Sequence, residues 1–121
     1  MKNRHLTLLC FSLILTIASC SETKTTVELK SDANSSMQSG DISTAIILVK
    51  NIIQEHPTDG EARFILGKAY IQNDDFLNAE KELNKAVELG FTSPELTLLI
   101  ARNLLAKNEF DEVISTLDPS S

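Results

Sequence analysis

The segment Gly40-Asp41-Ile42, with Ala45 three residues on, recurs as Asp74-Asp75-Phe76 with Ala79 and again as Asn108-Glu109-Phe110 with Val113, each copy 34 residues after the last. A strict 34-residue period in a pattern of helical spacing restricts the chain to stacked helix-turn-helix units. Each unit can bury its apolar face only against its neighbours. The expected fold is therefore all-α, with antiparallel helix-turn-helix repeats stacked as a short solenoid. Function in such an array is a matter of surfaces, since a curved stack of helices presents a groove to a partner and seldom carries chemistry of its own.

The period divides the chain into copies at about residues 26–59, 60–93 and 94–121, the last incomplete. The middle copy is the clearest. Its first helix is expected over about residues 61–73, with Leu66, Gly67 and Tyr70, and its second over about residues 76–89, with Ala79, Leu83 and Ala86. These spacings place the apolar residues on one face of each helix. Gly67 and Ala79 are small enough to let the paired helices approach closely. Asp74 and Asp75 open the second helix, where carboxylates cap free N–H groups and favour the positive end of the helix dipole. Gly90 suits a helix C-terminus.

Residues 1–19 read as an export signal and not as part of the fold. Lys2, Arg4 and His5 make a positive start, and residues 6–17 form an apolar stretch too short for a comfortable membrane span. Ile17-Ala18-Ser19-Cys20 then resembles the bacterial lipobox, in which two small residues admit the backbone to a signal peptidase and the thiol accepts a diacylglyceryl group. An ordinary signal peptide cut near Ala18 is the alternative. Cysteine arithmetic favours the lipid, because Cys10 leaves with the leader and Cys20 has no partner for a disulfide. Acyl chains at Cys20 would give stable anchoring, and Ser21 in place of an aspartate implies, by resemblance to lipoprotein sorting rules, the periplasmic face of the bacterial outer membrane. Residues 20–26 are then the lipidated cysteine and a polar tether reaching roughly 20 Å, and residues 27–121 the repeats. Loss of Lys2 and Arg4 leaves nine basic against 17 acidic residues, a net charge of about −8, which opposes binding to nucleic acid or anionic lipid head groups.

Leu66, Gly67, Tyr70, Ala79, Leu83 and Ala86 resemble the tetratricopeptide repeat pattern, with Phe91 where that pattern has proline and Arg63 where it has tryptophan. Ala33, Ala45, Val49, Ile52 and Pro57 fit it in the first copy, and Ile100, Ala101, Leu104, Val113 and Leu117 in the third. Asp32 falls on the usual buried leucine, so the first helix is expected to be frayed or differently packed. The runs Thr44-Ala45-Ile46-Ile47-Leu48-Val49-Lys50-Asn51, Leu66-Gly67-Lys68-Ala69-Tyr70 and Ala101-Arg102-Asn103-Leu104-Leu105 further resemble the start of the repeat lipoprotein of the PEP-CTERM and exosortase system. That resemblance implies a role in exopolysaccharide production or the sorting of exported proteins. An accessory subunit of an envelope enzyme complex, or an outer-membrane or pilus assembly lipoprotein, are the alternatives. This chain is much shorter than those relatives, which implies a fragment of a longer array. An uncovered end with Phe110, Val113, Ile114 and Leu117 makes self-association the competing expectation.

The inventory for catalysis is thin. His5 leaves with the leader, and His56 precedes Pro57 in a connection between repeats, where a solvated histidine is expected. No nucleophile and base pair, His/Cys metal cluster or phosphate-cradling glycine loop is visible, so neither enzyme activity nor a cofactor is expected. In the repeat family the ninth position of the first helix faces the concave groove. It holds Asn34, Lys68 and Arg102 here, with Lys30 one turn before Asn34. Stacked donors of this kind resemble the clamp that some members use for a peptide C-terminal carboxylate, although Leu98 stands where that clamp has lysine and Lys68 where it has asparagine. The partner implied is a segment of another exported or envelope protein.

Overall fold

The computed structural model describes residues 24–118. The export leader and Cys20 lie outside the described residues. Within them the chain forms six helices, α1 Thr26–Gln38, α2 Ile42–Glu55, α3 Gly60–Gln72, α4 Phe76–Glu88, α5 Pro94–Ala106 and α6 Phe110–Leu117. Each sequential pair packs together, and α3 also packs on α1 and α5, so three helix hairpins stack in chain order.

The recurring tripeptide is a turn in which one helix stops and the next starts. Gly40, Asp74 and Asn108 stand 34 residues apart and all take left-handed backbone, with φ of 84°, 56° and 62°. Their N–H groups donate to Met37, Ile71 and Leu105, and the next N–H of each turn, from Asp41, Asp75 and Glu109, donates to Ser36, Tyr70 and Leu104 at 2.9 Å. This paired pattern satisfies the last carbonyls of the first helix. The residue that completes it is also the N-cap of the second helix. Asp41 and Asp75 accept the N–H of Thr44 and Asn78 on their side chains, while Glu109 makes no such bond. Glycine, aspartate and asparagine tolerate left-handed backbone best, which is why the period is most legible here.

Small residues set the helix spacing. Ala33, Ala45, Ala62, Ala69, Ala79 and Ala86 are fully covered. A Cβ at Gly67 would lie 2.7 Å from both Cγ and Cδ2 of Leu83 and 3.3 Å from its backbone nitrogen, so α3 and α4 meet at Gly67. Phe91 stacks on Phe64 with ring centroids 5.0 Å apart. Its Cβ would be 2.9 Å from a Cβ at Gly60. The aromatic ring thus closes the junction between repeats, and glycine at the start of α3 makes the space.

The first helix is not frayed. It is a full 13 residues, opened by a capping box in which Thr25 and Glu28 satisfy each other's backbone N–H groups. Thr25 and Thr26, expected within a tether, are instead the cap and the first residue of this helix. Asp32 is only half-covered and pairs with Lys24 at 2.6 Å, while Leu29, Ala33 and Met37 supply the apolar side. No repeat precedes this helix among the described residues, so an aspartate on its outer flank stays solvated. Burial is greatest in α3, where eight of 13 residues are covered. The third hairpin has a smaller apolar cluster of Ala101, Leu104 and Val113, joined to the rest through Ile100.

Candidate functional site

Lys30, Asn34, Lys68 and Arg102 lie on the first helices of the three hairpins, in different settings. Lys30 on α1 reaches across to the start of α3, with Nζ 2.7 Å from Asp59 and 2.7 Å from Glu61. Asp59 is the N-cap of α3 and accepts the Ala62 N–H at 2.9 Å, so one carboxylate serves both helix and neighbour. Burial would raise the Asp59 carboxyl. The Lys30 hydrogen bond, the Ala62 N–H and the Lys30 charge outweigh it and bring the group below its usual range. Burial likewise opposes the charge on Lys30, yet the hydrogen bonds it donates to Asp59 and Glu61 hold its ammonium above the ordinary value. Lys30 is thus a tie between the first two repeats. Asn34 donates to the carbonyl of Lys30 in its own helix.

Lys68 on α3 pairs with Glu95 in the first turn of α5 at 2.7 Å. Glu61 and Glu95 stand 34 residues apart, each the second residue of its helix, and each binds a lysine on the first helix of the preceding hairpin. Nothing in composition pointed to these acids, but the period that located Asn34, Lys68 and Arg102 also relates Glu61 to Glu95. Arg102 is exposed and makes no ion pair among the described residues. Its helix places Glu95, Leu98, Arg102 and Leu105 at alternating steps of three and four, a single stripe along α5. The structure therefore brings Lys68 into a ladder with an acid and leaves Arg102 open.

The other charged contacts are structural in character. Arg63, in the tryptophan position, pairs at 2.8 Å with the buried Glu82 of α4. Asn103 is almost wholly covered and donates from Nδ2 to the Phe76 carbonyl at 3.1 Å, fastening α5 to the start of α4. It was hidden in the sequence because a polar residue next to Arg102 looks solvated. Lys107 bridges Glu80 and Glu109 at 2.6 and 2.9 Å, and these contacts hold its ammonium above the ordinary value. His56 is exposed at the C-terminus of α2. Among the described residues no three His, Cys, Asp or Glu side chains gather to hold a metal ion, and no helix is long and apolar enough to cross a membrane.

Such a surface can bind by charge and shape. Lys68 and Glu95 form a partly exposed pair, worth at most about 1 kcal/mol in this setting. An incoming carboxylate could therefore take the place of Glu95 at small cost. Comparison with known families gives a match to the model described as anaphase-promoting complex, cyclosome, subunit 3, over residues 38–120. No curated protein matches the sequence significantly.

Proposed function

Because the chain belongs to the family described as anaphase-promoting complex, cyclosome, subunit 3, whose repeats are of the tetratricopeptide type, we propose that it is a non-catalytic scaffold that holds a segment of another protein on its stacked first helices. The observation that carries this reading is the Lys68 and Glu95 pair together with Arg102 of the next first helix, which is exposed and makes no ion pair among the described residues. Cys20 in its lipobox context would fix the scaffold to the periplasmic face of the bacterial outer membrane, with exported or envelope proteins as partners. The further link to exopolysaccharide production or to PEP-CTERM protein sorting rests on the resemblance of residues 44–105 alone.

Two measurements test the two halves of this proposal. Photo-crosslinking from the first helices in intact cells should capture a defined partner, and Lys68→Ala with Arg102→Ala should abolish that capture. Unchanged capture would remove the carboxylate reading. Cys20→Ala should leave the protein unlipidated and its leader uncut or miscut; normal processing and fractionation with the outer membrane would remove the anchor.

A further inference from the structure

The joint between the first and second hairpins and the joint between the second and third are built from equivalent positions, so residues 34 apart can be compared across them. In the first joint α2, α3 and α4 meet over long side chains. Lys50 lays its ammonium over the Tyr70 ring, with Nζ 5.7 Å from the centroid, and Glu82 is held by Arg63. In the second joint Asn84, Leu104 and Thr116 stand where the first has Lys50, Tyr70 and Glu82. All three are shorter, and a cavity of about 150 Å³ opens between α4, α5 and α6, with Glu80, Asn84, Asn103, Glu112 and Thr116 in its lining. The lining is also more polar, because Glu80 and Asn103 take the places of Ile46 and Ala69. Ile100, Asn103 and Leu104 face the cavity from α5, and helical spacing puts Leu98, Arg102 and Leu105 on the other side of that helix.

The fixed polar groups of this cavity accept hydrogen bonds and do not give them. Asn103 is 1% exposed, and its Nδ2 donates to the Phe76 carbonyl at 3.1 Å. That bond orients the amide and leaves Oδ1 buried with no donor among the described residues. Thr116 gives its hydroxyl proton to the Glu112 carbonyl at 2.8 Å, so only its lone pairs remain. Glu80 and Glu112 add two carboxylates, of which Glu80 is met by Lys107 at 2.6 Å. Lys107 is held there by Glu109 as well, outside the lining. Buried acceptors need donors, and an ammonium brings three N–H groups, a positive charge and no acceptor. The space holds about five groups of roughly 30 Å³, the volume of a water molecule in the liquid, and is well below the roughly 300 Å³ at which drug-sized pockets begin. We propose that the cavity between α4, α5 and α6 binds a primary alkylammonium group on a short chain, with Asn103 Oδ1 as its buried acceptor and the Glu80 and Glu112 carboxylates balancing its charge. In the first joint the chain supplies an ammonium of its own from Lys50. In the second it supplies the acceptors and takes the ammonium from a ligand, either a free amine or the end of a partner's lysine side chain.

The test titrates n-butylammonium chloride into the ¹⁵N-labelled full chain and follows the Asn103 side-chain and Leu104 backbone amide signals by NMR, with sodium chloride and 1-butanol as controls. A saturable shift is expected with the ammonium salt alone. Asn103→Leu should weaken it at least about tenfold, the effect of losing one hydrogen bond to a charged group. Leu104→Tyr, which refills the space as Tyr70 does, and Asn84→Lys, which restores the chain's own ammonium, should block it. The first joint accommodates both of those side chains, so circular dichroism should be unchanged and the test survives if Asn103→Leu does not fold. Absence of saturation, which would leave water as the only occupant, overturns the proposal. So does an equal response to sodium chloride or butanol, or binding indifferent to Leu104→Tyr. Saturation by N-acetyl-lysine methylamide at lower concentration than butylammonium makes a partner's lysine the source, and the reverse order a free amine. None of these substitutions touches Lys68 or Arg102, so crosslinking from the first helices stands or falls separately.

Discussion

Gly67→Ala should weaken the fold, contrary to the usual result of replacing a glycine within a helix. Alanine gains about 1 kcal/mol over glycine in a helix interior by restricting the unfolded chain. Against this, the new Cβ would be 2.7 Å from Leu83 Cγ and Cδ2, and carbon atoms rest at about 3.5–4.0 Å. Leu83 cannot swing away freely, being 1% exposed, and its backbone nitrogen is 3.3 Å from the same Cβ. Overpacking of this kind costs about 1–3 kcal/mol, so the net loss should be about 1 kcal/mol, or about 4–8 °C in Tm for a domain of this size. Urea denaturation followed by circular dichroism measures it. The mechanism is isolated by repeating the substitution in a Leu83→Ala background. Leu83→Ala alone should cost about 2–5 kcal/mol, but with the clash removed Gly67→Ala should then stabilise by about 1 kcal/mol, a coupling expected only between residues in contact. A gain in stability from Gly67→Ala in the otherwise unaltered chain would refute the argument, and with it the claim that α3 and α4 touch there.

Asp74→Gly should raise stability by about 0.5–1 kcal/mol, because a left-handed φ strains a side chain that glycine lacks, whereas Asp74→Val should lower it; thermal melts compare the two. The Asp59 carboxyl titrates below its unfolded value of about 3.9. The stability it contributes is therefore complete above that pH and disappears as pH falls through its lower folded value. Asp59→Asn should flatten this part of the acid unfolding profile, read as stability against pH below about 4, while leaving the profile near neutrality unchanged in shape.

The turns, small residues and apolar positions of the middle repeat were legible because each answers to a local rule. Gly67, Ala79, Leu83 and Ala86 could be placed from helical spacing alone, and all four are buried. The setting of Lys30 and Lys68 was not legible. Pairing to Glu61 and Glu95 joins residues 31 and 27 apart, and that depends on how one hairpin leans on the next. Phe91 in the proline position made sense only once Phe64 and Gly60 were seen to face it. Asp32 looked disruptive under a rule for interior repeats, but α1 has no described neighbour on that side and Lys24 is in reach. Asn103 is illegible for the opposite reason, since its amide serves the backbone of another helix and no side-chain pattern announces that.

The hairpin turns have one further consequence, for what the chain can tolerate there. Asp41, Asp75 and Glu109 each give their N–H to a carbonyl five residues back and also stand at the head of the next helix. Proline is therefore barred from all three places, since it has no N–H to give. A single inserted residue would separate the two duties, so that the stop and the start no longer fall on one unit. The connections between hairpins carry no such double duty at one residue, with His56, Pro57, Thr58 and Asp59 at the first and a longer stretch at the second. Variation in length is thus admissible between hairpins and forbidden within them, and the 34-residue spacing acts as a ruler whose fixed mark is the turn and whose adjustable margin is the link.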